Sequence, residues 1–375
     1  MNSNNKRTSK KKRGTKKNKT KLIIFSIFTA LVLFAAGFAA YSWLLLNKFD
    51  RHKIENSNEA LGIHDDIANK TSGLKDITNI ALFGLDNRSE GEHGRSDSIM
   101  VLTIDKKHDK LKLSSIMRDS YVNMDGHGKD KINHAYAYGG PQLAIKTINQ
   151  NFGLNIRDFA TVDFNGMAEI IDALGGLQID VRKDEVKYVN NGVVEVSDLN
   201  KTKYPTISGP GMQTLNGVQA VSYSRIRSTA GGDFERTDRQ RLVLELIFKK
   251  VQTAGVTKYP ALVNSLSKYV TTSLGTSDII KIGTDVLTNG ITKVEQERFP
   301  VDGYNDGKTI NKVWYLIFNA EVTKKQMYDY IFDDIKPTPG NPDKPNLGNT
   351  STKSSGSSSS KTTGTTKSSG TSNKK

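Results

Sequence analysis

Residues 223–241, YSRIRSTAGGDFERTDRQR, carry five arginines (Arg225, Arg227, Arg236, Arg239 and Arg241) and no lysine. A guanidinium is a planar fork that grips a carboxylate or phosphate through two parallel hydrogen bonds, whereas an ammonium offers a point charge. A chain that uses lysine freely elsewhere but only arginine here is built to hold an oxyanion, or to lace a helix face with ion pairs. Three more segments mix arginine with aspartate: FGLDNR with Asp86 and Arg88, GRSDS with Arg95 and Asp97, and IMRDS with Arg118 and Asp119. One Arg–Asp pair at a strand end is commonly a solvated surface pair of little energetic weight. Four mixed segments point instead to a metal-bridged phosphate: aspartate oxygens hold a hard dication such as Mg2+, and arginines neutralise the remaining charge. Gly231-Gly232 leave backbone N–H groups free at a helix start, where an anion is favoured.

Other chemistries find little support. Six histidines (His52, His64, His93, His108, His127, His134) show no paired metal-ligand spacing. There is no G-x-S-x-G elbow and no P-loop, and with no cysteine a thiol nucleophile is excluded. His134 in KINHAYAYGG stands as a general-base candidate, against the commoner structural role of a lone histidine beside tyrosines.

These residues need a scaffold, and the apolar pattern supplies one. Runs 77–85, 98–104, 110–116, 159–164 and 177–181 read as strands. Helical periodicity occupies 141–152, 165–174 (with Asn165 as cap and Gly175-Gly176 as stop), 238–254, 259–270, 277–289 and 320–335. The alternation predicts a layered α/β domain, helices packing on both faces of a sheet, over residues 74–335. Residues 47–73 are weakly patterned and read as a spacer. From 336 onward the Pro/Gly/Ser/Thr/Lys-rich composition predicts a disordered tail.

The net charge of +15 suggests nucleic acid until it is located. Residues 1–21 hold ten basic residues and no acid, and 336–375 hold seven lysines against Asp343. Setting those 17 aside leaves 37 basic against 38 acidic residues in the body, so a nucleic-acid-reading domain is not indicated. Residues 22–46 are 25 in a row without charge. As a helix they would be about 37 Å long, enough to span a bilayer; a cleaved signal peptide with Gly37-Phe38-Ala39 as its site is the competing reading, against which the stretch is longer than the usual apolar core of about 7–15 residues. The basic residues before this stretch place residues 1–21 in the cytoplasm and everything after about residue 47 outside.

With these residues in view, the chain resembles the LytR–CpsA–Psr family. The matching segments are GLDNR (84–88), RSDSIMVLTI (95–104), SIMRDSYV (115–122), KINHAYAYGG (131–140), DFNGMAEIIDALGGLQIDV (163–181), LNGVQAVSYSRIR (215–227) and GDFERTDRQR (232–241). They occur in the family's order behind a membrane anchor. One departure is Met117, where the family usually has proline, which leaves the turn presenting Arg118 with less intrinsic stiffness.

The resemblance implies an α-β-α domain with a central mixed sheet, preceded by one transmembrane helix. It implies a phosphotransferase of the cell membrane, active outside the cell. The donor would be an anionic glycopolymer, such as teichoic acid or capsular polysaccharide, linked to polyprenyl pyrophosphate. The acceptor would be the 6-hydroxyl of N-acetylmuramic acid in peptidoglycan. On this sequence Asp86 and Asp97 would bind Mg2+ or Mn2+. Arg88, Arg118, Arg225, Arg227, Arg236 and Gln240 would hold the pyrophosphate, with Lys131 and Asp233 near the head group. Asp119 and Asp233 are the candidate bases. The family's lipid lies in an apolar tunnel; apolar residues here would line one or form plain core, and both readings stand.

A binding protein without chemistry, a pyrophosphatase using water as acceptor, and the DNA-binding regulator suggested by the family's older label are the competing classes. A topology reporter fused at residue 60 is expected to register outside the cell; a cytoplasmic signal would remove the ligase reading and revive the regulator.

Overall fold

The computed structural model describes residues 50–86, 94–253, 268–288 and 290–348. In chain order the elements are β1 (Asp50–Arg51), α1 (Asp65–Thr71), β2 (Ile77–Leu85), β3 (Ser96–Asp105), β4 (Lys110–Ile116), β5 (Tyr121–Met124), β6 (Gly128–Lys131), α2 (His134–Phe152), β7 (Asp158–Asp163), α3 (Phe164–Ala173), β8 (Leu177–Val181), α4 (Val186–Asn200), β9 (Gly211–Leu215), α5 (Gly217–Ser224), α6 (Gly232–Thr253), β10 (Val270–Thr272), α7 (Thr276–Thr288), β11 (Lys293–Phe299), β12 (Asn305–Ile310), β13 (Val313–Phe318) and α8 (Ala320–Phe332). A mixed seven-stranded sheet runs β1-β10-β7-β2-β3-β4-β11, with hairpins β5-β6, β8-β9 and β12-β13 beside it.

The period-2 pattern of the strands explains the layering. Along β2, Ala81, Phe83 and Leu85 pack with Ala144, Ile148 and Phe152 of α2 and with Tyr330 and Ile331 of α8. On the other face Ile80 joins Leu102, Ile104, Leu111 and Leu113, against which half-buried Leu82, Leu244, Phe248, Ile282 and Val286 pack. Helices therefore cover both faces, as the alternation predicts.

A third cluster lies beside the sheet, where α3, α4, α5 and the β8-β9 hairpin pack on Val243 and Ile247 of α6. Here α5 meets α3 backbone to backbone. A Cβ on Gly217 would lie 2.0 Å from the Ala168 carbonyl oxygen, so only glycine fits.

Several expectations are corrected. Residues 50–73 are part of the domain: Leu61, Ile63 and Ile67 are buried in the α2 core, and Asn149 donates to the Leu61 carbonyl. Three widely spaced apolar residues gave no periodic signal. The expected helix from Pro141 to Phe152 is present, and a further turn from His134 precedes it across a kink at Gly139 and Gly140 (φ 60°), the two together forming α2. Asp163, not Asn165, caps α3 by accepting from Gly166 N at 2.7 Å. Of the expected helix 259–270, residues 259–267 lie outside the described residues, and Val270 opens β10. Residues 336–348, expected to be disordered, are held by bonds such as Gly340 N to Asp302 O (2.8 Å) and Asn346 N to Gly303 O (2.8 Å). The expected transmembrane segment, 22–46, also lies outside; among the described residues no helix is long and apolar enough to cross a membrane.

At the far end of the sheet from the segments singled out above, Lys112 is fully buried. Its ammonium donates to Asp105 Oδ2 (2.6 Å) and to the Tyr330 carbonyl (2.9 Å), and sits 3.0 Å from Asp334 Oδ1. Asp105, His108 and Asp334 cluster closely enough to hold a cation, but the lysine already supplies one. Breaking a buried pair strands its partner's charge at a cost of about 3–5 kcal/mol. Lys112→Met is expected to lower stability by that order in urea unfolding, while activity per folded molecule is retained.

Candidate active site

Helix α6 sorts the arginine-rich stretch by face. Asp233, Arg236 and Gln240 lie at i, i+3 and i+7, on the side facing the start of β3. Glu235 and Arg239, also one turn apart, face the 225–231 loop. Arg239 is a brace: its guanidinium donates to Glu185 Oε1 (2.8 Å), Glu235 Oε2 (2.6 Å) and the Ile226 carbonyl (3.1 Å). Glu235 also accepts from Thr229 Oγ1 (2.6 Å) and Arg182 (3.0 Å), and these contacts hold its carboxyl down at about 2. This network ties the loop carrying Arg227 to the helix carrying Arg236. Arg241 turns away to Asp238.

At the centre is Asp97, with Arg118 Nη1 2.8 Å from Oδ1 and Arg227 Nη2 2.9 Å from Oδ2. Arg236 Nη2 donates to the Asp97 carbonyl at 2.8 Å and lies 3.4 Å from Oδ2. Asp233 Oδ1 is 3.1 Å from Arg236 Nη1, 3.3 Å from Arg118 Nη2 and 3.9 Å from Arg227 Nε. Gln240, in the amide orientation its neighbours require, accepts from Arg236 Nε (3.2 Å) and donates to Ser98 Oγ (3.2 Å). Asp119 takes Lys131 Nζ on Oδ1 at 2.7 Å, and its Oδ2 is 3.5 Å from Arg118 Nε. Arg118 Nε is buried without a hydrogen bond, and Arg227 is half exposed.

The turn presenting Arg118 is closed by backbone bonds. Met117 N donates to the Phe299 carbonyl (3.0 Å) and Ser120 N to the Met117 carbonyl (3.0 Å). The first needs an N–H that proline lacks, so replacing proline costs this turn less than the sequence suggests. Asn133 N donates to the Arg118 carbonyl, anchoring the β6 end that carries Lys131.

The electrostatics follow from crowding. Burial pushes the Asp97 carboxyl up, but Arg236, Arg118 and Arg227 outweigh it and hold it below the usual range. Burial, seconded by Arg118, pulls the Arg236 guanidinium down to about 10 despite Asp233 and Asp97. Arg118 is raised: burial alone would lower it, but Asp233, Asp97 and Asp119 prevail.

Of the residues expected at the site, the structure brings together Asp97, Arg118, Asp119, Lys131, Arg227, Asp233, Arg236 and Gln240. Arg225 points elsewhere, stacking 4.7 Å over Phe164 with Glu195 at 3.7 Å. Arg88 lies outside the described residues. Asp86 follows β2, its N–H 3.4 Å from the Arg95 carbonyl. Leu85 pairs with Ser96 after a register shift that leaves Asp97 unpaired, so Asp86 and Asp97 lie at the same end of the β2-β3 pair. Their carboxylate oxygens are the donor type that Mg2+ takes, and both oxygens of Asp97 here face guanidiniums. Sequence reading missed Ser98 and Glu185. Each is a single polar residue in an ordinary setting, and only the fold brings an arginine network to it.

The site can be set beside known proteins. The LytR_cpsA_psr family profile matches residues 48–330, about three quarters of the chain. The chain belongs to this family. It is 36% identical to the regulatory protein MsrR of Staphylococcus aureus over 259 residues, 68% of this chain and 74% of that protein. It is 31% identical to the polyisoprenyl-teichoic acid–peptidoglycan teichoic acid transferase TagU of Enterococcus faecalis over 297 residues, 78% of this chain and 91% of that protein. Among solved structures, TagT bound to LI-WTA superposes with a TM-score of 0.54 at 27% identity, covering 68% of this chain and 91% of that one. YwtF (TagT) with bound octaprenyl pyrophosphate lipid gives 0.51 at 26%, with the same coverage.

Asp97 stabilises the fold while ionised. Its folded value lies below the unfolded one, so its contribution is present above the ordinary aspartate range and is lost as pH falls through the depressed value. Asp97→Asn is expected to cost about 3 kcal/mol at pH 7 by leaving guanidiniums uncompensated, with the gap to the parent closing below the usual aspartate range. Chemical denaturation at a series of pH values reads this; a gap constant with pH would refute the assignment.

Proposed function

We propose that this protein is a membrane-anchored phosphotransferase, acting outside the cell, that moves an anionic glycopolymer such as teichoic acid from polyprenyl pyrophosphate to peptidoglycan. The observation that carries this reading is the convergence of Arg118, Arg227 and Arg236 at one sheet end. Their forks match the two adjacent phosphates of such a donor. Relatives named as teichoic acid transferases and a solved relative holding octaprenyl pyrophosphate support the same direction.

Helix α6 adds an argument from amphipathy. Arg236, Gln240, Leu244 and Phe248 follow at four-residue spacing on one face, about 6 Å of rise apart. That face passes from cation and amide to half-buried apolar side chains beside Leu82, Ile282 and Val286. A prenyl diphosphate has the same order, charged head and then apolar chain.

In the proposed reaction an acceptor hydroxyl oxygen attacks the phosphorus carrying the glycopolymer, and the phosphoanhydride bond to polyprenyl phosphate breaks. Arg118, Arg227 and Arg236 hold the phosphates and offset charge developing on the departing oxygen, the main work of catalysis in phosphoryl transfer. Gln240 fixes the Arg236 fork. Asp119 takes the hydroxyl proton: Asp233 Oδ1 is shared among three guanidiniums, whereas Asp119 meets Lys131 and only the Nε edge of Arg118. A bound Mg2+ or Mn2+ would be held by Asp86 and Asp97 and would supply further neutralisation to the phosphate oxygens.

Removing one such anion contact typically costs about 10²–10³ in rate. Arg118→Ala is expected to lose that much transfer of labelled donor to peptidoglycan by purified protein, with donor binding largely retained, and chelation to abolish transfer until Mg2+ returns. Donor hydrolysis without transfer would replace the ligase by a pyrophosphatase; binding without turnover would leave a lipid-binding protein.

A further inference from the structure

On the Asp119 side of the site the surface changes character. The β12-β13 hairpin is joined to the catalytic turn, since Leu316 N donates to the Asp119 carbonyl at 2.9 Å and Ser120 bridges Leu316 in parallel. Lys131 Nζ, already on Asp119, lies 6.0 Å from the Trp314 ring centroid and 5.8 Å from that of Tyr315. Tyr315 packs at 4.7 Å on Tyr121. The hydroxyls of Tyr315 and Tyr138 both donate to Asp130, at 3.4 and 3.0 Å. Tyr138 stacks on His127 at 4.5 Å with only 9° between the rings. The result is a group of aromatic rings beside the proposed proton acceptor, with Lys131 between Trp314 and Tyr315 and Asp130 between Tyr315 and Tyr138; Trp314 is 46% and Tyr138 47% exposed.

Single exposed aromatics need no explanation, but four aromatic rings gathered around Lys131 and Asp130 beside a reactive centre do. Trp314 is also held in place. Its indole lies across Gly307, where a Cβ would come within 2.8 Å of Nε1. Ring faces with carboxylates and hydroxyls at their edges suit pyranose rings, whose axial C–H groups meet the π face while hydroxyls bond at the edge. Around these rings Asp119 and Asp130 are matched by Lys131 and by Lys129, which sits 5.9 Å over Tyr121. This balance suits an N-acetylated amino-sugar chain, with at most one carboxylate per disaccharide, better than the denser charge of a polyphosphate.

We propose that Trp314, Tyr315, Tyr121 and Tyr138 form the docking surface for the acceptor glycan, a strand of N-acetylated hexosamines, and that Lys131 joins this surface to Asp119. The strand lies along the rings and delivers one hydroxyl to the Asp119 carboxylate. The inference rests on the ligase reading for the identity of the strand, while the surface itself is testable without turnover.

The chain has two tryptophans, Trp43 and Trp314. Full-length protein carrying Trp43→Phe in detergent micelles therefore reports on Trp314 alone. Titration with soluble, peptide-free peptidoglycan strands is expected to shift its emission saturably, while lipid-free teichoic acid does not. By calorimetry Trp314→Ala and Gly307→Ala are each expected to weaken strand binding at least tenfold and octaprenyl pyrophosphate binding less than twofold; Arg236→Ala is expected to do the reverse. No saturable response to strands, a response to teichoic acid instead, or loss of both ligands together in both variants overturns the proposal. Strand binding that persists alongside a failed transfer assay would sink the ligase reading and leave the glycan surface standing.

Discussion

Three guanidiniums around one carboxylate is a configuration that opposes itself. Like charges gathered in a partly buried site repel, and Asp97 and Asp233, each within reach of all three guanidiniums, offset that repulsion. Arg236 records the tension, drawn down to about 10 by burial and by Arg118. In the proposed function, a diphosphate entering this cage would meet forks already aimed and charges already concentrated. The carboxylates that keep the cage closed would then be partly relieved of that role.

The arginines of one short stretch do different work. Arg236 faces the cage, Arg227 reaches it from the preceding loop, and Arg239 faces the opposite way to pin that loop through Glu185 and Glu235. Arg225 stacks on Phe164. The brace matters as much as the cage: with the loop loose, Arg227 would lose its aim and the cage one of its three cations. The third, Arg118, comes from a different part of the chain, on a turn closed by the Met117–Phe299 backbone bond.

The scaffold meets these demands at one end of a mixed sheet. Antiparallel β2 and β3 bring Asp86 and Asp97 to the same strand end, and β4 ends in the Arg118 turn at the same edge. Helix α6 lies across the other face and supplies Asp233, Arg236 and Gln240 from above. One face of the site is thus strand ends and the other a helix N-terminal turn. The β12-β13 hairpin closes the third side with aromatic rings.

Much of this was legible in the residues. The main strands, α6, the placement of charge on two ends of the chain and the mixing of arginine with aspartate at strand ends all follow from local pattern, because alternation, helical spacing and charge runs are properties of neighbours in sequence. Burial of Leu61, Ile63 and Ile67 and the docking of residues 336–348 did not follow, because each depends on a partner far along the chain. The sequence alone determined that arginines and aspartates of the right chemistry exist in quantity. Only the tertiary structure decided which of them meet: Asp97 and Arg236 are 139 residues apart, and whether a guanidinium reaches the Asp97 cluster or a structural glutamate depends on which side of a helix turns toward the sheet.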